Sequence, residues 1–233
     1  MDHVLMSWRE IMGETRTMKV ISLRSLSYAA IFTIAFVAVG RAEESKTDSI
    51  PKQQLQAKLL YCKTCHGVSA QGFRGAFPIP RLAGQQPEYI KNQLRAFIEG
   101  RRKNAVMFRV AHVLTPSMIN ALTAEFKELN PKPVGGAPKQ LVAAGKAIFE
   151  NGVPSADVPP CASCHGADAK GNGEFPRLAG QLDDYIINEL TNWGKYRGQN
   201  PAKPDTSAIM APIAHELTKP QVEAVAAYLS YLQ

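Results

Sequence analysis

The apolar positions of this 233-residue chain fall into a pattern that occurs twice. Val222, Val225, Leu229 and Leu232 recur at spacings of three and four, and Ile119, Leu122, Phe126 and Leu129 do the same in the first half of the chain. Each stripe predicts an amphipathic helix with one face against a core. Both carry a start signal, Thr115 before Pro116 and Thr218 before Pro220: the threonine oxygen accepts an otherwise unpaired first-turn N–H, and proline gives up an amide hydrogen that has no partner there. An earlier helix is predicted in each half by Leu94 with Phe97 and by Leu190 with Trp193. Met118, aligned with the polar Gln221 and outside the stripe, is expected at the surface or the helix edge.

The repetition extends to the residues themselves. "PRLAGQ" stands at 80–85 and at 176–181, followed by Tyr89-Ile90 and Tyr185-Ile186, and "MFRVAHVLT" from Met107 matches "MAPIAHELT" from Met210. Between the halves "NPKPVGGAPKQ", with three prolines and two glycines, reads as a linker. The chain is therefore read as a tandem duplication of mostly helical units, 50–130 and 141–233, joined by 131–140. The second unit has about seven extra residues around "GKYRGQNPAKPDTS", an insertion expected to shield a site or to contact a partner.

The N-terminal region is of another kind. Lys19 and Arg24 precede an apolar run over 26–40 that ends in small residues, the layout of a secretory signal with cleavage expected after Ala42. The run is shorter than the roughly 20 residues of a spanning helix, which makes a retained anchor the lesser alternative. Residues 1–17 fit no part of a signal, so Met18 is an alternative start. Beyond residue 42 the chain has 22 basic and 17 acidic residues, a balance that favours an acidic docking partner or an anionic surface. No basic stripe interleaved with aromatics suggests nucleic acid.

All four cysteines lie in two short copies, "CKTCHG" at 62–67 and "CASCHG" at 161–166. Two disulfides would suit an exported protein, but not the identical gap and the histidine that follows each pair. A thioredoxin-like pair leaves both histidines unexplained, and a shared zinc site would leave histidines over. The pattern is that of c-type haem attachment: Cys62 with Cys65, and Cys161 with Cys164, reach the two vinyl groups of one haem each, and His66 and His165 bind the iron. Two covalent haem c groups are predicted.

The opposite face of each iron has few candidates. Met107 and Met210 are in register, and a thioether is a known axial partner. The alternatives are that these methionines fill core gaps, or that His112 and His215, also in register, are the ligands. Arg101 and Arg197, in "EGRR" and "KYRG", are candidates for neutralising haem propionates, with a solvated turn as the alternative.

The paired "CxxCHG" sites, the "PRLAGQ" segments and the "MxxxAxxLT" segments before a final helix resemble the dihaem class I cytochromes c of the cytochrome c-four family, over 51–233. The resemblance implies an all-α fold of two tandem cytochrome c domains related by pseudo-twofold symmetry, with His and Met ligands on each iron. It also implies that carbonyls at or near Pro80 and Pro176 accept hydrogen bonds from His66 and His165. In function it implies a periplasmic carrier of single electrons, not an enzyme, between redox partners such as a quinol-oxidising complex and a haem-copper terminal oxidase, diffusible or associated with the membrane surface. One departure is that His66 and Pro80 are 14 residues apart but His165 and Pro176 only 11, so the haem surroundings are expected to differ. Two other functions stay open: an electron-accepting subunit of a periplasmic dehydrogenase, such as a sulfide-oxidising flavoprotein complex, and a haem enzyme in which one iron lacks its methionine.

Overall fold

The computed structural model describes residues 50–233 apart from 204, so the signal-peptide reading lies outside the described residues. Among the described residues the regular structure is helical, with only isolated antiparallel bridges and no strand. The first half contains α1 (Lys52–His66), α2 (Pro87–Ile98), α3 (Ala105–His112) and α4 (Pro116–Glu128). The second contains α5 (Val142–Asn151), α6 (Ala162–His165), α7 (Asp183–Thr191), α8 (Trp193–Tyr196), α9 (Ser207–Glu216) and α10 (Lys219–Tyr231). No single described helix is long and apolar enough to cross a membrane.

The second half has more helices because two helices of the first are interrupted in it. Helix α1 runs unbroken into Cys62–His66, whereas α5 stops at Gly152, and a turn containing Pro154, Pro159 and Pro160 intervenes before α6. Proline can neither donate to a helix nor fit inside one. Gly152 is required at that stop: its φ is +71°, and a Cβ would lie 2.2 Å from the Val158 carbonyl oxygen. Likewise α2 is continuous, but its counterpart breaks between α7 and α8 at Asn192, whose side-chain amide competes for the Asn188 carbonyl at 3.0 Å.

Each half has its own core. In the first, Leu94 and Phe97 of α2 meet Ile119, Leu122 and Phe126 of α4. In the second, α10 lies across α5, with Val225, Ala226 and Leu229 against Phe149. That approach is so close that a Cβ on Gly145 would sit 1.9 Å from the Ala224 carbonyl oxygen. The closing helices start as expected: Thr115 Oγ1 accepts from Met118 N–H, and Gln221 Oε1 accepts from Thr218 N–H at 2.8 Å. Met118 departs from expectation, being buried at 3% exposure. It stands four residues before Leu122 on the same face, whereas Gln221 in that row turns back to cap its own helix.

The two halves are joined by contacts that occur twice with partners exchanged. Gln181 Oε1 accepts from the Arg81 amide at 2.8 Å and its Nε2 donates to the Arg81 carbonyl at 3.2 Å; Gln85 makes the same two bonds with Arg177, at 2.7 and 3.0 Å. Each glutamine thus pairs with the other half's backbone as a peptide group would, and the exchange is a pseudo-twofold relation. A second paired layer consists of Arg102, Arg197, Gln93 and Glu189. Arg102 donates to Gln93 (2.8 Å) and Glu189 (3.1 Å), and Arg197 donates to Gln93 (2.6 Å) and Glu189 (2.5 Å).

Candidate functional site

Each "CHG" turn continues into a loop held the same way in both halves. Ala70 and Ala169, fully buried in the left-handed conformation at φ 57° and 55°, each accept two amides through their carbonyls, Leu82 with Ala83 and Leu178 with Ala179. This clamp brings the "PRLAGQ" segment back over the histidine. The Nδ1–H of His66 donates to the Pro80 carbonyl at 2.8 Å, and that of His165 donates to Pro176 at 3.0 Å. A carbonyl only accepts, so each ring carries its proton on Nδ1 and keeps Nε2 free to bind a metal. Both rings are buried, at 7% and 6% exposure, and burial pushes both imidazoles below their ordinary pKa against the opposing pull of the carbonyl.

The three extra residues between His66 and Pro80 leave this geometry intact. They lengthen the tip of a small hairpin, closed by a Phe73–Ile79 bridge in the first half and an Asn172–Phe175 bridge in the second. The longer tip leaves Phe77 87% exposed, and its Arg74 reaches Asp183 of the other half.

Cys62, Cys161 and Cys164 are half-buried, Cys65 is exposed, and none of the four is in a disulfide. Burial pushes the Cys62 thiol above its ordinary pKa and the Cys161 thiol to about 11. Among the described residues no three His, Cys, Asp or Glu side chains gather as a zinc site would need.

Met107 is half-buried against the first core, positioned by α3, whose N-cap Asn104 accepts from the Met107 amide at 2.9 Å. Met210, also half-buried, lies in the first turn of α9, where Asp205 accepts from the Ser207 amide at 2.9 Å. His112 and His215 both face outward, His112 stacked on Phe108 and His215 beside Glu216.

The arginines are arranged differently from the sequence register. Arg197 bridges to Arg102, not Arg101, and the two share a layout, Arg102 over the Phe97 ring and Arg197 over the Trp193 ring. Both are paired with Gln93 and Glu189, and Arg101 pairs with Glu99 and Asp205. Arg81 is a further candidate for a propionate. It follows the proline that holds His66, its Nη1 is buried without a partner, and burial together with the nearby Arg177 lowers its pKa to about 10. It is a cation lacking an anion, and haem carries two carboxylates. Arg81, Arg102 and the two glutamines were not assigned roles from sequence, although six identical residues in both "PRLAGQ" copies exceed what a single proline carbonyl requires.

The insertion of the second half lies on the first half. Asn200 Nδ2 donates to the Glu99 carbonyl at 3.0 Å, the Gln199 amide donates to the Arg101 carbonyl at 3.3 Å, and Asp205 pairs with Arg101.

Two helical units, each with a Cys-x-x-Cys-His turn, a metal-ready histidine and a half-buried methionine, have the make-up of a dihaem c-type cytochrome. Residues 142–233 match the family model for cytochrome c. Cytochrome c-552 of Acidithiobacillus ferridurans is 40% identical over 177 residues, 73% of each chain, and a thiosulfate dehydrogenase electron acceptor of Thiomonas intermedia is 35% identical over 72% of this chain and 77% of its own. The solved cytochrome c4 of Acidithiobacillus ferrooxidans superposes with a TM-score of 0.61 at 38% identity, covering 73% of this chain and 98% of that one. The chain belongs to the cytochrome c4 family, dihaem electron carriers with covalently bound haem c.

Proposed function

We propose that this protein carries single electrons in the periplasm from a quinol-oxidising complex toward a terminal oxidase, with His66 and Met107 on one iron and His165 and Met210 on the other. The observation that carries the ligand assignment is the contrast within each register: Met107 packs against the first core and Met210 is half-buried, whereas the rival His112 and His215 are exposed. When bound, haem supplies a one-electron iron couple. The chain's part is to fix each imidazole through a proline carbonyl; Met107 and Met210 would supply the thioether that, with the imidazole, holds the iron and raises its potential. Arg81 provides charge for a propionate. Held by a histidine and a methionine, each iron would have no position open to oxygen or peroxide and would pass single electrons.

A second reading, the electron-accepting subunit of a periplasmic dehydrogenase, is favoured by the relative named as a thiosulfate dehydrogenase electron acceptor. Membranes containing the terminal oxidase, given the reduced holo-protein, separate the two. Rapid cyanide-sensitive reoxidation supports delivery to the oxidase. No reoxidation, with reduction dependent on thiosulfate or sulfide in the soluble fraction, replaces it with the subunit reading.

A further inference from the structure

The two methionines are in register but are not held alike. The Met107 amide donates to the Asn104 side chain at 2.9 Å, so the cap that starts α3 fastens the very residue that bears the thioether. The Met107 side chain packs against the first core, and α3 lies on the unbroken helix α2. In the second half Thr206, at the start of α9, makes no side-chain cap bond; its Oγ1 accepts from Asn92 of the first half at 3.4 Å, and Asp205 holds the Ser207 amide, three residues short of Met210. Among the described residues Met210 is not one of those packed against the second core. Helix α9 lies on the interrupted pair α7 and α8, where Trp193 Nε1–H donates to the Ser207 carbonyl at 3.2 Å. Pro212, in the place of Arg109, stands inside α9. Without an N–H it gives no bond to the Ala208 carbonyl, and the missing backbone bond is one that would span Met210.

We infer that Met210 is the exchangeable ligand of the two: a small nitrogen or carbon donor such as imidazole or cyanide displaces it at a concentration well below the one that displaces Met107. The inference rests on the ligand assignment proposed above and adds an inequality to it. In the exchange with imidazole one methionine sulfur–iron bond breaks and one nitrogen–iron bond forms, and nothing is oxidised or reduced. To let go, a methionine must swing its sulfur away, and what resists is the backbone and the packing that hold its helix. For Met107 this means breaking a cap bond and leaving the core; for Met210 no side-chain cap holds the helix start, and one helical bond across the residue is missing already. Asn104 and Pro212 are both exposed, so either restraint can be altered without touching a core. The inequality also says which half takes up a ligand from solution if one iron gives up its methionine: the second.

The test is imidazole binding to the oxidised holo-protein at fixed pH and salt, followed by the loss of the methionine-to-iron charge-transfer band. The expected result is two steps of equal amplitude with midpoints about tenfold or more apart. Pro212→Ala, which restores the helical bond, should raise the lower midpoint about tenfold and leave the upper one within about twofold. Asn104→Ala should lower the upper midpoint about fivefold and leave the lower one in place, and Asn104→Ser, which keeps a capping oxygen, should restore it. A single step in the wild type overturns the inference. So does a lower step that Pro212→Ala fails to move, or one that Asn104→Ala moves in place of the upper. The starting band keeps the two readings apart: an oxidised protein with two haems and no such band before imidazole is added overturns the ligand assignment itself, whereas a full band lost in one step counts against the inequality alone.

Discussion

Among the described residues Glu189 is the only carboxylate in the paired arginine layer between the halves, and its removal has a calculable consequence. Its Oε2 accepts from Arg102 Nη2 at 3.1 Å and from Arg197 Nη2 and Nε at 2.5 and 3.1 Å, and the three side chains are only 5–13% exposed. Glu189→Ala leaves two buried guanidinium groups facing one another without a counter-charge, a loss of about 3–5 kcal/mol. Glu189→Gln installs the residue that its pseudo-twofold mate Gln93 already is; it keeps an acceptor and loses the charge, for about 1.5–3 kcal/mol. The assay is urea unfolding of the holo-protein followed by circular dichroism. Acid provides the second arm. Burial opposes ionisation of Glu189, but Arg102 and Arg197 outweigh it and hold the folded pKa below the ordinary carboxylate value. A depressed carboxylate contributes its stability above the unfolded pKa and loses it as pH falls through the folded one. The gap between wild type and Glu189→Gln is therefore full at neutral pH and closes below about pH 4. If Glu189→Ala unfolds within about 0.5 kcal/mol of wild type, the layer does not hold the halves together and the reasoning is wrong.

Other perturbations test separate parts of the account. Gln85→Ala or Gln181→Ala removes two reciprocal bonds to the opposite backbone and leaves a buried amide and carbonyl unpaired, costing about 1–3 kcal/mol; amide exchange at Arg177 or Arg81, respectively, should accelerate, and the double variant should not be additive. Gly145→Ala drives a methyl into the Ala224 carbonyl and should cost at least about 2 kcal/mol, read as a lower thermal midpoint; an unchanged midpoint refutes the α5–α10 approach. Met107→Ala should leave haem content at two per chain, lower the potential of one haem only, and render that haem able to bind cyanide or imidazole, as a spectroscopic titration would detect.

How far the sequence could be read depended on what each signal encodes. The cysteine turns were legible because thioether attachment demands a fixed spacing, and the closing helices because a stripe with a threonine-proline start admits one local structure. Met118 was misread because comparison with Gln221 assumed equal roles, when one residue packs and the other caps. Arg101 was matched to Arg197 by counting letters across a region of unequal length, whereas the backbone bridge pairs Arg197 with Arg102. The reciprocal glutamines lie outside what pattern reading reaches: a hydrogen bond between residues about a hundred positions apart has no local periodicity, and its only trace was the over-complete repetition of "PRLAGQ".

The central claim, two covalent haems each held by a buried histidine and a half-buried methionine, is tested most directly by the near-infrared absorption of the oxidised holo-protein with haem quantified per chain. The account predicts two haems and a methionine-to-iron charge-transfer band of the intensity expected for both. A band of half that intensity, or none, with two haems still present would contradict it and return His112, His215 or an open coordination position to one or both irons.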